Sequence, residues 1–192
     1  MLVTEPSPRL PQIVAAAVAG GVDVVQWRDK TSTRTEIEAQ RIGMEAASPP
    51  ALLVLNLDGS RRPVLLTGSG RHWPENKARR MMYGLSGSSV HSAAAAQEAA
   101  AQGADYLVAG TIFASQSHPD IPPAGLDFLR DVCAAVSLPV LAIGGVTPSN
   151  LGLCLEAGAA GIAVLSPIMR ASDPQAVALA YRAALDTYWK ES

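Results

Sequence analysis

Leu138-Pro139-Val140-Leu141-Ala142-Ile143-Gly144-Gly145-Val146, followed after one helix-length segment by Gly161-Ile162-Ala163-Val164-Leu165-Ser166, is the stretch on which the fold turns. Each half is a short apolar run that ends where backbone can approach a ligand, at a glycine pair in the first and a serine in the second. The segment between them, 147–158, is long enough for one helix to carry the chain back. The two runs therefore read as consecutive parallel strands buried on both faces. Their C-terminal ends, side by side, would offer backbone N–H groups to an anion. The loops after the seventh and eighth strands of a (β/α)8 barrel frequently do this. The stretch implies a barrel and a small phosphorylated ligand.

The same pattern extends outward. Apolar runs at 2–4, 22–28, 51–56, 63–67, 82–88 and 106–113 precede those at 140–144 and 161–166, and most are rich in Val, Leu, Ile and Ala. Helix signals fill most of the gaps. Thr33 and Glu36 have the spacing of a capping box. Thr147-Pro148 and Asp173-Pro174 each put a capping side chain before a proline at the first helical position. Ser92 opens the alanine-rich segment 93–102. Gly20-Gly21, Gly103 and Gly158 each end a helix and enter a strand. Eight strands with alternating helices predict one α/β domain over 1–192, a compact TIM barrel below the usual ~250 residues. Only 57–62 separates the third run from the fourth, fewer than the roughly 10–12 residues of a parallel crossover. The third helix is therefore expected to be reduced or missing. A doubly wound open sheet is the alternative, but its glycine fingerprint is absent after the first strand.

Composition bounds the function. The 192 residues, 48% of them hydrophobic, suffice for one sizeable core. A net charge of −2, with one short basic cluster at Lys77, Arg79 and Arg80, argues against a nucleic-acid partner. No apolar run approaches the roughly 18 residues of a membrane span. Residues 1–11 hold Glu5, Arg9 and three prolines, unlike a secretory signal. Cys133 and Cys154 read as small buried hydrophobes in a reducing compartment. A cytoplasmic protein is expected, and a homodimer, the commonest symmetric assembly, is compatible with the sequence.

In a barrel the chemistry sits at the C-terminal ends of the strands, so the strand-end residues are the candidates. Period-two alternation sends Gln26, Arg28 and Lys30 to one side, where an amide, a guanidinium and an ammonium suit phosphate or pyrophosphate. The plainer reading is a surface cluster paired with Asp29 and Glu36. Asn56 and Asp58 at the end of the third strand suit Mg²⁺ or a ring nitrogen, or else an Asx turn before Gly59. His72, His91 and His118 each follow an expected strand end, and histidine is the side chain best matched to proton transfer near pH 7. Packed or solvated loop positions are the alternative for all three. Ser115, Ser117 and His118 could clamp an anion or cap turns of their loop.

Together these segments resemble the thiamin phosphate synthase/TenI family over essentially the whole chain. The resemblance is carried by Gln26-x-Arg28-x-Lys30, Ser89-Val90-His91-Ser92, Ala104-Asp105-Tyr106 leading to Gly110-x-Ile112-Phe113, Ala142-Ile143-Gly144-Gly145 and Gly161 to Ser166. It implies a (β/α)8 barrel binding a small phosphorylated thiazole. Gln26, Arg28 and Lys30 would hold pyrophosphate, assisted by Ser89, Ser115 and Ser117, while Gly144, Gly145, Leu165 and Ser166 would hold the thiazole phosphate.

Some segments differ from the family's synthase pattern. Its adjacent Asn-Asp metal pair reads Asn56-Leu57-Asp58, its acidic segment after the fourth strand is shortened to Trp73-Pro74-Glu75-Asn76, and its Thr-x-Thr-Lys clamp reads Ser115-Gln116-Ser117-His118. The reading these differences favour is a TenI-like tautomerase that moves a proton on thiazole carboxylate phosphate without a cofactor. The tautomerase histidine is Thr111 here, so His118 or His91 would take its role. The alternative is the synthase, which joins hydroxymethylpyrimidine diphosphate to thiazole phosphate. It would use Mg²⁺ at Asp58 and Glu75. A non-catalytic ligand-binding relative is the third.

Overall fold

Period-two alternation in the strands builds two apolar layers, one on each side of a single sheet. The computed structural model describes residues 1–57, 70–77, 84–115, 120 and 122–191. Its eight strands are β1 (Leu2–Val3), β2 (Val24–Asp29), β3 (Leu52–Leu57), β4 (Gly70–Trp73), β5 (Ser86–Val90), β6 (Tyr106–Ala109), β7 (Val140–Ile143) and β8 (Gly161–Ala163). They pair in parallel in sequence order. Val164, just past β8, bridges Leu2, with Val3 N donating to Val164 O at 2.8 Å. The sheet thus closes on itself as the barrel that the sequence implies.

Odd and even positions of each strand part company. Val25 and Trp27 of β2, Leu107 and Ala109 of β6, and Val140 and Ala142 of β7 join the layer between sheet and helices. Tyr106 and Val108, with Leu141 and Ile143 packed against them, fill the interior beside Val3 and Ala163. Burying one such Val, Leu or Ile contributes about 1.5–3 kcal/mol, so both layers fix the register.

The outer layer is covered by α1 (Leu10–Ala19), α2 (Arg34–Ala47), α3 (Ala93–Ala101), α4 (Gly125–Ala135), α5 (Leu151–Glu156), the single turn α6 (Ser166–Met169) and α7 (Pro174–Glu191). Thr33 and Glu36 form the expected capping box, Ser92 caps α3, and Asp173 accepts from Ala176 N at 3.0 Å. Gly21, Gly103 and Gly158 have the positive φ their junctions demand. Among the described residues no helix is long and apolar enough to cross a membrane.

Four expectations need correction. The fourth place in the sheet belongs to β4 at Gly70–Trp73, while 63–67 lies outside the described residues. His72 is therefore inside a strand and not after one. The link from β3 to β4 spans 58–69, ample for a crossover, and the expected reduction of the third helix falls on that undescribed stretch. β8 stops at Ala163, so Ser166 opens α6 instead of ending the strand. α5 starts at Leu151, not after Thr147, because Asn150 Oδ1 accepts from Thr147 N at 2.7 Å and winds 147–150 into turns first. The remaining strands differ from expectation by a few residues at their ends, most at β5, which runs Ser86–Val90, and at β6, which stops at Ala109.

Candidate functional site at the barrel mouth

Inward-facing side chains at the C-terminal strand ends line a cleft of about 210 Å³, among them Gln26, Arg28, Asn56, His72, Ser89 and Ile143. A shallower groove of about 390 Å³ runs between α6 and α7 on the outer surface. No strand end reaches it, so the mouth is the candidate site.

The first arc comes from β2 and β3. Val25 and Trp27 are buried outward, which forces Gln26 and Arg28 inward. Lys30 Nζ donates to Asn56 Oδ1 at 2.7 Å, and Asn56 Nδ2 donates to Gln26 Oε1 at 2.8 Å. Strand pairing sets Arg28 beside Asn56. Asp29, 1% exposed, accepts from the Thr31 and Ser32 amides at 3.0 and 2.8 Å, which bends the chain sharply after Lys30. Arg28 N donates to Thr4 Oγ1 at 3.0 Å and so anchors the backbone behind its guanidinium. The structure thus brings Gln26, Arg28, Lys30 and Asn56 together, as the alternation predicts. Glu36 meanwhile closes its own capping box with Thr33.

The second arc spans β4 to β6. His72 is 4% exposed, with Nε2 2.9 Å from Ser89 Oγ and Nδ1 3.2 Å from the Tyr106 hydroxyl. Burial, and then the positive charge of Lys30, push its pKa down to about 3, so the ring is neutral near pH 7. Burial also pushes the Tyr106 phenol up. His91 lies on the exposed rim, where its Nδ1 pairs with Glu75 Oε2. Ser115 is half-buried on the segment after β6, whereas Ser117, His118 and Asp58 lie outside the described residues.

The third arc, after β7 and β8, is backbone. Gly144 and Gly145 have φ of 96° and 63°. A Cβ on Gly144 would lie 2.4 Å from Thr111 Cγ2, and one on Gly145 2.4 Å from Ala114 O. The segment after β6 packs that closely because Ile112 N donates to Ile143 O at 2.9 Å and Phe113 N to Gly144 O at 3.0 Å. Asn150 Nδ2 donates to Gly145 O at 3.1 Å and holds the loop from the other side. Leu165 lines the cleft, and Ser166 follows it at the start of α6.

The sequence pattern does not single out Tyr106, Glu5 or Arg170 as site residues, and it leaves His72 among loop candidates. Arg170 Nε donates to Glu5 Oε1 at 3.2 Å, and both side chains reach the cleft. The two are 165 positions apart, and no local pattern signals such a pairing. His72 and Tyr106 could have been found by extending period two through Gly70-Arg71-His72-Trp73 and Tyr106-Leu107-Val108.

Magnesium binds near-octahedral oxygen sets, commonly one or two carboxylates completed by substrate phosphates and water. The described carboxylates at the mouth are already engaged, Glu5 by Arg170 and Glu75 by His91. Among the described residues no group of three or more His, Cys, Asp or Glu side chains could hold a metal ion. Asp58, the other carboxylate named for magnesium, lies outside the described residues.

A family model described as thiamine monophosphate synthase matches residues 69–168. A thiamine-phosphate synthase from Natronomonas pharaonis is 40% identical over 179 residues, covering 85% of this chain and 82% of its own. One from Synechococcus sp. (strain WH7803) is 38% identical over 188 residues, covering 90% of this chain. This chain spans only 53% of that Synechococcus protein. Among solved structures, a thiamine phosphate pyrophosphorylase from Pyrococcus furiosus superposes with a TM-score of 0.76 at 25% identity, over 97% of this chain and 96% of its own.

Proposed function

This chain belongs to the thiamin phosphate synthase/TenI family, and from that membership we propose that it is the synthase. It would join hydroxymethylpyrimidine diphosphate to thiazole phosphate. The relatives at 37–40% identity carry the synthase name, which moves the weight away from the tautomerase that the sequence differences favoured. One observation carries the reading. Two features of different make, which we read as anion-receptive, lie at the C-terminal strand ends of one barrel. The Gln26–Asn56–Lys30 chain with Arg28 lies on β2 and β3, and the Gly144–Gly145 and Leu165–Ser166 edge lies on β7 and β8. A tautomerase acting on one phosphate needs one such feature; a synthase joining two phosphorylated substrates needs both.

In the proposed reaction the C–O bond between pyrimidine methylene and diphosphate breaks, and its electron pair leaves with pyrophosphate. The thiazole nitrogen then donates a pair to the methylene to form the new C–N bond. Charge accumulates on the departing oxygens, and fixed cations aimed at them lower the barrier. Arg28 supplies a two-pronged donor and Lys30 a compact charge. Asn56 holds the ammonium in place through its 2.7 Å bond. Gly144 and Gly145 let the backbone come close to the thiazole phosphate. The histidines take no part as acids or bases in this reaction, consistent with a neutral, buried His72.

One observation favours the tautomerase as second reading: Glu75, a carboxylate the synthase pattern needs for metal, is paired with His91. Purified protein given hydroxymethylpyrimidine diphosphate, thiazole phosphate and Mg²⁺ should form thiamin phosphate and pyrophosphate. Isomerisation of thiazole carboxylate phosphate without that product would establish the tautomerase instead. Binding of thiazole phosphate with neither turnover would leave the non-catalytic relative.

A further inference from the structure

We infer that Tyr106 is a positioning residue whose phenol fixes the Nε2–H tautomer of His72 and thereby makes the Ser89 hydroxyl a hydrogen-bond donor facing the cleft. What Ser89 would meet there, a diphosphate oxygen, rests on the reading above; the tautomer does not.

The inference begins with a gap in β5. Tyr106 stands on β6 and His72 on β4, so the phenol must cross the strand between them. Gly87 is the position it crosses, where a Cβ would lie 2.0 Å from the Tyr106 ring carbon Cζ. Glycine alone leaves that path open. Across it the two rings tilt at 40°, with centroids 5.7 Å apart, and the hydroxyl arrives 3.2 Å from His72 Nδ1. The other ring nitrogen, Nε2, is 2.9 Å from Ser89 Oγ.

A neutral imidazole has one donor and one acceptor nitrogen, and its neighbours decide which is which. Tyr106 is 7% exposed among Val3, Val108 and Ala163, so its O–H proton needs a protein acceptor. Among the described residues that acceptor is His72 Nδ1. The ring proton must then sit on Nε2 and point at Ser89 Oγ. With one lone pair of Ser89 engaged by that N–H, the serine proton turns away from the ring. Ser89 lines the cleft, so the proton is directed at a ligand. In the opposite tautomer both phenol and Nδ1 would present hydrogens to one another. Ser89 would then spend its own proton on Nε2 and offer the cleft only lone pairs, which repel phosphate oxygens. Burial depresses the imidazole pKa and so keeps this arrangement free of charge near pH 7.

The test is the ¹⁵N spectrum of the imidazole nitrogens in the full chain, with His72 assigned by loss of its signals in His72→Gln. Nε2 should carry the proton in the native protein and in Ser89→Ala, whereas Tyr106→Phe should populate both tautomers. A proton on Nδ1 in the native protein, or a Tyr106→Phe spectrum identical to the native one, overturns the inference. The first of these decides the matter even should Tyr106→Phe not fold. In turnover, Tyr106→Phe should lower kcat about tenfold with KM little changed, since a donor is misdirected and no contact surface is lost. A shifted tautomer with native kcat would break the link to Ser89. Native protein that forms no thiamin phosphate but shows the Nε2 proton would sink the proposed function and leave the tautomer assignment standing.

Discussion

The two sides of the barrel mouth are built from different materials. On β2 to β6 the surface is side chains wired to one another: Lys30 to Asn56 to Gln26, and Tyr106 to His72 to Ser89. On β7 and β8 it is main chain, a glycine pair pinned by Asn150 and by the segment after β6, with one turn of helix beside it. A side-chain arc can be retuned one residue at a time, because each substitution alters one charge or donor. A backbone arc tolerates almost nothing at its glycines and ignores most changes elsewhere. Function placed on the first arc should therefore fail in chemistry, and on the second in folding.

That contrast can be broken in four places. The largest effect should come from Lys30→Ala, which removes a charge and leaves the Asn56 amide oxygen without its cation. We expect a loss of about 10²–10³ in kcat/KM for thiamin phosphate formation, with a near-native melting curve. A change below about threefold would take the side-chain arc out of the site. Gly144→Ala should act the other way. At φ of 96°, with Thr111 Cα 2.8 Å from the added carbon, it should destabilise by about 2–3 kcal/mol in denaturant unfolding. Native stability would mean that the glycine is dispensable to the loop.

The pH dependence of stability isolates the second wired chain. His72 has a pKa of about 3 when folded and an ordinary value of 6.5. The unfolded chain binds its proton more readily, so the contribution is complete above about pH 6.5 and shrinks as pH falls toward 3. At pH 5 the loss should be about 2 kcal/mol, and His72→Gln should flatten that slope. An equally steep slope in the variant would assign it to other groups. The smallest effect is expected from His91→Ala. His91 is 62% exposed in a rim pair with Glu75, worth about 0–1 kcal/mol, so kcat/KM should change less than about threefold. A tenfold loss would restore His91 to the catalytic role that the sequence pattern allowed it.

Much of this was legible in the chain itself, for reasons that differ along it. Gln26, Arg28 and Asn56 were found because Val25 and Trp27 are strongly apolar neighbours, and alternation then fixes the opposite face. Gly144 and Gly145 stand out because a glycine pair directly after an apolar strand signals backbone that other residues rarely adopt, and both have positive φ. β4 was missed because Gly70-Arg71-His72-Trp73 is not an apolar run, although it alternates correctly. That error displaced His72 from strand to loop and hid its partners. The pairing of Glu75 with His91 was hidden for a different reason, since it depends on two separate loops converging.

What the sequence determined by itself is the periodic part: seven of the eight strands, their inward faces, most of the helix caps and the order of segments that marks the family. Periodicity is local, set by the 2.0 repeat of a strand and the hydrogen-bond needs of a helix end. What only the tertiary structure decided is which polar groups meet. Glu5 finds Arg170, Glu75 finds His91, and Tyr106 passes over Gly87 to reach His72. Such pairings join residues from different strands and loops at about 3 Å. They exist only once barrel closure has set every strand's register against its neighbours.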